Sequence, residues 1–155
     1  AFESEEQVVL LVMEDPELLA PDKLEVLKAV VAELEALHIR KTGALIRACL
    51  LLPCLAASAG DSQREALDHY GKCIGLAFQI QDDILDIEGH ARDLGKTAGK
   101  DEASHKSTYP GVMGLRAAKE RASELFVDAL GALDRLGEAA EPLRALAERI
   151  RQRDR

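Results

Sequence analysis

Aromatic residues are scarce in this 155-residue chain, which contains no Trp, three Phe and two Tyr. Strands favour aromatic and β-branched side chains, whereas closely packed helices do not need them. Hydrophobic residues still make up 47% of the sequence, enough for a packed core, which argues against a globally disordered chain. No segment alternates apolar and polar residues over the length of a strand. We therefore predict an all-α fold.

Positive charge is also in short supply, since 20 basic and 28 acidic residues give a net charge of −8. This balance argues against nonspecific binding to nucleic acid or anionic lipid, so an anionic ligand would need a metal or a local cationic cluster. The three cysteines match no metal-binding spacing, and we interpret them as buried thiols of a cytoplasmic protein. We expect neither a signal sequence nor a membrane span, because the most apolar segment, 44–59, contains Arg47 and Pro53.

Helical periodicity and stop signals divide the chain after residue 21 into helices. The predicted helices are Asp22–Leu37, Ala44–Ala59, Ser62–Glu88, Leu115–Leu136 and Pro142–Gln152. Pro53 should kink the second of them. Ser62 and Glu65 have the form of a capping box that begins the third helix, and Gly89 is placed to end it. The break at residues 89–107 combines three glycines with four Lys or Arg side chains, which is unusual in an acidic chain.

The third predicted helix carries a stripe of aspartates. Positions three and four apart share a helix face, so Asp82 and Asp83 are neighbours of Asp86, and Gln79 lies one turn earlier. Like charges at this spacing repel one another, and the stripe contains no cation of its own. An external cation would relieve the repulsion, and hard oxygen ligands favour Mg²⁺, which often completes its shell with phosphate oxygens. A solvated acidic patch is the alternative, and the apolar flanks weigh against it.

Four sequence blocks follow one another between residues 35 and 125. They are His38-x-x-Lys41-Thr42-Gly43-Ala44-Leu45-Ile46, Phe78-Gln79-x-x-Asp82-Asp83-x-x-Asp86, Leu94-Gly95-Lys96 and Lys106-Ser107-Thr108-Tyr109-Pro110. In this order they resemble motifs of the trans-isoprenyl diphosphate synthases in their bacterial farnesyl or geranyl diphosphate synthase form. The second block is similar to the family's second aspartate-rich motif, and together the blocks are a specific match to the carboxy-terminal half of the family.

The resemblance implies a helical bundle of the class I isoprenoid (terpenoid) synthase type, of which residues 1–155 would be the carboxy-terminal part of a single domain. The complete protein would be a homodimeric prenyltransferase. It would condense geranyl or dimethylallyl diphosphate with isopentenyl diphosphate, and the bacterial form of the blocks favours farnesyl diphosphate as the product. Metal ions and lysines would stabilise the diphosphate leaving group, which is electrostatic catalysis.

The resemblance also assigns site residues. The Mg²⁺ ligands would be Asp82, Asp83 and Asp86, with Asp82 binding directly. Lys41 and Lys96 would contact the allylic diphosphate, and Lys106 would close the site. The Thr42 hydroxyl and the Gln79 amide would lie beside the reacting carbons and stabilise developing positive charge. Lys41, Thr42 and Gln79 would therefore be catalytic as well as substrate-binding residues.

Two family motifs are absent from this sequence. One is the first aspartate-rich motif, which supplies the opposing metal ligands, and the other is the Gly-Gly-Lys-x-x-Arg region that binds isopentenyl diphosphate. We therefore expect condensation only from a complete protein of which this chain is a part. A noncatalytic or truncated helical subunit that pairs with an active synthase is an alternative that predicts the same helices. A cyclase or squalene-type synthase is a further alternative, but such enzymes usually combine the aspartate motif with other partner motifs.

Overall fold

The computed structural model describes residues 21–94 and 108–153, and within these ranges every regular element is helical. The elements are α1 (Pro21–His38), a π-helical turn (Ile39–Gly43), α2 (Ala44–Ala56), α3 (Asp61–Leu94), α4 (Tyr109–Met113), α5 (Leu115–Ala132), a 3₁₀ segment (Leu133–Ala140) and α6 (Glu141–Arg151). The predicted all-α fold is confirmed.

The first two helices and the π turn form one continuous helical segment, because His38 and Ala44 keep right-handed helical backbone angles at the two junctions. Single π turns inside α-helices frequently occur at functional sites, and this one carries Lys41 and Thr42. Pro53 lies inside α2. The predicted end of this helix at Ala59 is wrong, since Ser58 adopts a positive φ of 52° that a right-handed helix does not accommodate.

The ends of α3 differ from the prediction. The helix begins at Asp61, and the backbone N–H of Gly60 donates to Oε1 of Gln63 at 3.1 Å, so Gln63 closes the first turn. The predicted stop at Gly89 is also wrong, because α3 continues to Leu94. A glycine inside a helix costs only about 1 kcal/mol relative to alanine, and the surrounding helix outweighs it.

The core lies along α3, which packs most extensively against α5 and also contacts α2 and the π turn. The largest fully buried side chains are Tyr70, Ile74, Ile80, Ile84, Tyr109, Phe126 and Leu133. On its core face α5 contributes Ala118, Ala122 and Ala129. These short side chains let the two helices approach closely, and the long α3 therefore serves as the frame on which the site is built.

A pair of glycines sets the distance between α3 and the π turn. A methyl group on Gly75 would lie 2.8 Å from the Cα of Gly43, which is closer than carbon atoms pack. Only a residue without a side chain fits here. Since Gln79 follows Gly75 by one helical turn, this close approach brings Gln79 beside Thr42.

Arg47 fastens α2 to α3. Its Nε donates to Oδ1 of Asp68 at 2.8 Å, and Lys72 pairs with the other carboxylate oxygen at 2.7 Å. Burial by itself would raise the pKa of Asp68, but the hydrogen bonds from Lys72 and Arg47 outweigh it and hold the pKa below its ordinary value. A charged residue inside an apolar helix thus has a partner within the same chain.

The cysteine prediction is only partly correct. Cys54 and Cys73 are buried, whereas Cys49 is exposed on the outer face of α2, which also carries the exposed Leu45 and Leu52. No helix in the described part of the chain is long and apolar enough to cross a membrane.

Candidate functional site

The aspartates of the α3 stripe lie in different environments. Asp83 is buried, with 8% of its surface exposed, Asp82 is half-buried and Asp86 is exposed. Among residues 21–94 and 108–153, no three His, Cys, Asp or Glu side chains are arranged to hold a metal ion. The three carboxylates therefore do not converge on one point in this structure.

Asp83 connects α3 to the start of α4. Its Oδ2 accepts a hydrogen bond from the backbone N–H of Tyr109 at 2.9 Å, and its Oδ1 lies 3.5 Å from Nε2 of Gln79. The Nε2 of His38 lies 3.9 Å from the same Oδ2, beyond hydrogen-bond distance. Both carboxylate oxygens of Asp83 are thus satisfied within the protein.

Gln79 connects α3 to the π turn. Its side chain is buried, and the Thr42 hydroxyl donates to its Oε1 at 3.3 Å. A chain of polar contacts therefore runs from Thr42 through Gln79 to Asp83. The structure brings these three predicted site residues together, and the exposed Lys41 lies on the same turn as Thr42.

His38 lies inside the site, where it is 6% exposed and its Nδ1 has no hydrogen-bond partner. Burial lowers the pKa of His38, and the charge of Lys41 acts in the same direction, whereas Asp83 and Glu35 oppose them. The net shift is downward, so the imidazole is neutral at neutral pH. His38 opens the first family-like block, but its burial beside Asp83 was not predicted from the sequence.

Asp82 pairs with Arg153, which follows α6. The Nη2 of Arg153 lies 2.7 Å from Oδ1 of Asp82, and the guanidinium lies 4.6 Å from the centroid of the Phe78 ring. The stripe is therefore partly neutralised by a cation from a distant part of the chain. The sequence pattern did not predict this pair, because nothing in a local pattern shows that residue 153 returns to residue 82.

Tyr109 is buried and is held by two partly buried charged residues. Its hydroxyl donates to Oε1 of Glu35 at 3.1 Å, and Nε of Arg121 donates to the same oxygen at 3.2 Å. Burial, followed by the nearby Glu35, raises the pKa of Tyr109 to about 12. Because the backbone N–H of Tyr109 holds Asp83, this cluster fixes the carboxylate in place. Sequence reasoning missed Glu35 and Arg121, which lie outside the blocks.

Two predicted site residues, Lys96 and Lys106, lie outside the described residues. The described segment begins again at Thr108, whose hydroxyl accepts a hydrogen bond from the backbone N–H of Gly111 at 3.2 Å. Thr108 is thus the N-cap of α4, and the fourth block ends on a firmly anchored helical turn.

Two of the three aspartates have donor chemistry that fits Mg²⁺. Asp82 and Asp86 lie one helical turn apart and keep solvent contact. Mg²⁺ commonly uses one or two carboxylates, and water and phosphate oxygens complete its shell. Asp83 does not fit as a ligand in this arrangement, because its oxygens accept hydrogen bonds from Tyr109 and Gln79. Ligation by all three aspartates stays a prediction.

Comparison with known proteins decides the family. The polyprenyl synthetase family model matches residues 16–144. This chain belongs to the polyprenyl synthetase family. The match includes the π turn, α3 and the start of α6, so the elements that carry the site are family elements. The fold implied by the sequence blocks, an all-helical isoprenoid synthase fold, is confirmed.

The relatives of this chain within the polyprenyl synthetase family include enzymes that are named for different products. The farnesyl diphosphate synthase of Escherichia coli K12 is 48% identical over 128 residues, which are 79% of this chain and 42% of that protein. The chloroplastic geranylgeranyl pyrophosphate synthase of Capsicum annuum is 43% identical over 122 residues, 78% of this chain and 33% of that protein.

A solved structure is also similar. It is a crystal structure from Marinomonas sp. MED121, assigned as a farnesyl-diphosphate synthase, with a TM-score of 0.63 and 37% identity. The match covers 77% of this chain and 39% of that one. This chain thus spans less than half the length of each of these relatives.

Proposed function

We propose that this chain is the carboxy-terminal part of a prenyl diphosphate synthase domain. The complete protein would join an allylic diphosphate to isopentenyl diphosphate, with farnesyl diphosphate as the product. The observation that supports this most is the chain of contacts Thr42–Gln79–Asp83, with Asp82 at the position of α3 that directly precedes Asp83. Polar side chains from the π turn and α3 are brought together there, beside the proposed metal ligand Asp82.

Each group in the site has a role in this proposal. Asp82 and Asp86 hold Mg²⁺, which when bound would stabilise the negative charge of the diphosphate leaving group. Lys41 contacts the diphosphate from the π turn. The side-chain oxygens of Thr42 and Gln79 lie beside the allylic carbons, where they stabilise developing positive charge.

Asp83 positions these groups without binding the substrate. Its carboxylate ties the Gln79 amide to the backbone of Tyr109, which keeps the polar face of α3 in register with the start of α4. Lys96 and Lys106 lie outside the described residues, and their contacts with the diphosphate stay predictions from the family resemblance. Homodimerisation and a cytoplasmic location are carried by the family resemblance, and we include them in the proposal on that basis.

An exposed apolar surface on α1 and α2 supports the assignment to part of a larger domain. Its side chains are 44–67% exposed. They are Val26, Val30, Leu37, Leu45, Leu52 and Leu55. Soluble proteins rarely leave large apolar patches in water. Because the chain spans 42% of the Escherichia coli relative, we propose that the remaining helices of the family bundle cover this surface.

A product assay tests the proposed reaction. The complete protein should convert labelled isopentenyl diphosphate and geranyl diphosphate into farnesyl diphosphate when Mg²⁺ is present. Asp82→Ala should lower turnover about 100-fold or more, since loss of one charge-stabilising contact commonly has that effect. Asp134→Ala is the matched control, because Asp134 also pairs with an arginine, Arg144, at 3.3 Å. Equal turnover in Asp82→Ala and Asp134→Ala would refute the role of Asp82.

A noncatalytic helical subunit that pairs with an active synthase is the second candidate, because it predicts the same helices. The intact mass separates the two candidates. A purified polypeptide of 16.8 kDa that forms no product but binds an active synthase would support the subunit. A longer polypeptide that contains a second aspartate-rich motif and forms product alone would support the enzyme.

A further inference from the structure

Arg153 is fixed in place by more than its ion pair with Asp82. The guanidinium lies over the Phe78 ring, and the side chain is only 29% exposed. Its Nε is shielded from solvent and has no hydrogen-bond partner. A shielded N–H without a partner costs free energy, and contact with the ring and with Asp82 offsets that cost. An arginine without a structural role on the protein surface would keep its N–H groups hydrated.

The position of Arg153 affects any cation that binds to Asp82. A positive charge 2.7 Å from Oδ1 weakens the negative potential of this carboxylate. A divalent ion beside the same carboxylate would also be repelled by the guanidinium. The two cations therefore compete for one half-buried acidic group.

We infer that Arg153 is a resident counter-cation of Asp82 that a divalent metal ion must displace, and that it thereby sets the metal affinity of the site. The inference rests on the proposed role of Asp82 as a metal ligand. It also accounts for the stability of the acidic stripe before metal binds, because the guanidinium relieves part of the repulsion. A diphosphate adds negative charge to the site and would favour the exchange of the guanidinium for the metal.

Binding of Mn²⁺ tests the competition without a catalytic assay. Electron paramagnetic resonance of unbound Mn²⁺ gives the dissociation constant for the wild-type chain and for Arg153→Gln. Removal of the guanidinium should tighten binding about fivefold, the factor expected from a partly exposed ion pair. Arg153→Lys keeps the charge and should bind Mn²⁺ nearly as wild type does.

Arg151→Gln is the matched control, because it removes the same charge from an exposed arginine that pairs with Glu148 at 3.2 Å. Its affinity for Mn²⁺ should equal that of the wild type. Equal tightening in Arg151→Gln and Arg153→Gln would overturn the inference, since net charge alone would then explain it. Unchanged or weaker binding in Arg153→Gln would also overturn it.

Asp82→Asn separates this inference from the proposed function. If Asp82→Asn binds Mn²⁺ as tightly as wild type, Asp82 is not a metal ligand and the proposed function fails at its first step. If Asp82→Asn loses Mn²⁺ while Arg153→Gln does not gain affinity, only the competition is refuted. Loss in the first variant and gain in the second supports both.

Discussion

Substitution of Gly75 by alanine tests how the site is assembled. A methyl group at this position would lie 2.8 Å from the Cα of Gly43, and its neighbour is backbone, which cannot rotate away. Carbon atoms in contact are about 3.5–4.0 Å apart. The π turn and α3 must therefore separate by several tenths of an ångström or more. That movement would also lengthen the hydrogen bond between Thr42 and Gln79.

The expected loss of stability combines two opposing terms. Overpacking a well-packed contact costs about 1–3 kcal/mol, and an immovable backbone neighbour places Gly75→Ala toward the upper end. The better helix propensity of alanine stabilises the folded state by about 1 kcal/mol. We expect a net loss of about 1–2 kcal/mol. Gly89→Ala is the matched control on the same helix, because a methyl group there meets nothing within 4 Å, and it should gain about 0.5–1 kcal/mol.

Thermal unfolding followed by circular dichroism measures both variants. A change of 1 kcal/mol shifts the Tm by about 2–4 °C in a domain of this size, so Gly75→Ala should melt several degrees below Gly89→Ala. Turnover or Mn²⁺ binding should also decrease in Gly75→Ala. If Gly75→Ala is as stable as Gly89→Ala, the close approach of α3 to the π turn is refuted.

Three further predictions concern titration and buried polar contacts. Burial raises the pKa values of Tyr70 and Tyr109 to about 12, so the stability that these two groups contribute is fully present below pH 10.0 and is lost as the pH rises toward 12. Phenolate absorbance of the folded chain should therefore show little ionisation of either tyrosine at pH 10, and ionisation of both at that pH would contradict the prediction. Tyr109→Phe removes the hydrogen bond to the Glu35 carboxylate and should lower the free energy of unfolding by about 1.5–3 kcal/mol in urea denaturation, whereas an unchanged midpoint would show that the bond is not formed. Burial is outweighed by the ion pairs with Lys72 and Arg47, which lower the pKa of Asp68 below 3.8, so the stability that Asp68 contributes is present above that pH and is lost as the pH falls. Asp68→Asn should be less stable than wild type by about 1 kcal/mol at pH 7, and the difference should shrink in acid. A difference that stays constant with pH would argue against the lowered pKa.

The local sequence predicted those features that depend on neighbouring residues along a helix. The periodicity of α1 and α5 placed their helices within a few residues of the observed bounds, because one apolar face must be buried. The aspartate stripe predicted that Asp82 and Asp86 share one face of α3, and in the structure both keep solvent contact on that face. The family resemblance implied that Thr42 and Gln79 lie beside the same reacting carbons, and the structure joins the two side chains by a hydrogen bond.

Features that depend on contacts between residues far apart in the chain could not be predicted from the local sequence. The burial of Asp83 is fixed by the backbone of Tyr109, and the pairing of Asp82 is fixed by Arg153. No sequence spacing identifies Tyr109 or Arg153 as a partner of these aspartates. The stop expected at Gly89 failed because local propensity is weak against the packing of a long helix. A carboxylate stripe read alone therefore suggested one shared environment, whereas tertiary contacts assign each carboxylate a different one.

Binding of inorganic diphosphate, measured by calorimetry with Mg²⁺ or with EDTA, tests the central claim most directly. We expect the complete wild-type protein to bind diphosphate only when Mg²⁺ is present, and Asp82→Asn to lose this metal-dependent binding while Asp134→Asn keeps it. Equal binding with Mg²⁺ and with EDTA, or equal binding by wild type and Asp82→Asn, would contradict the claim that the α3 carboxylates hold a metal for a diphosphate ester.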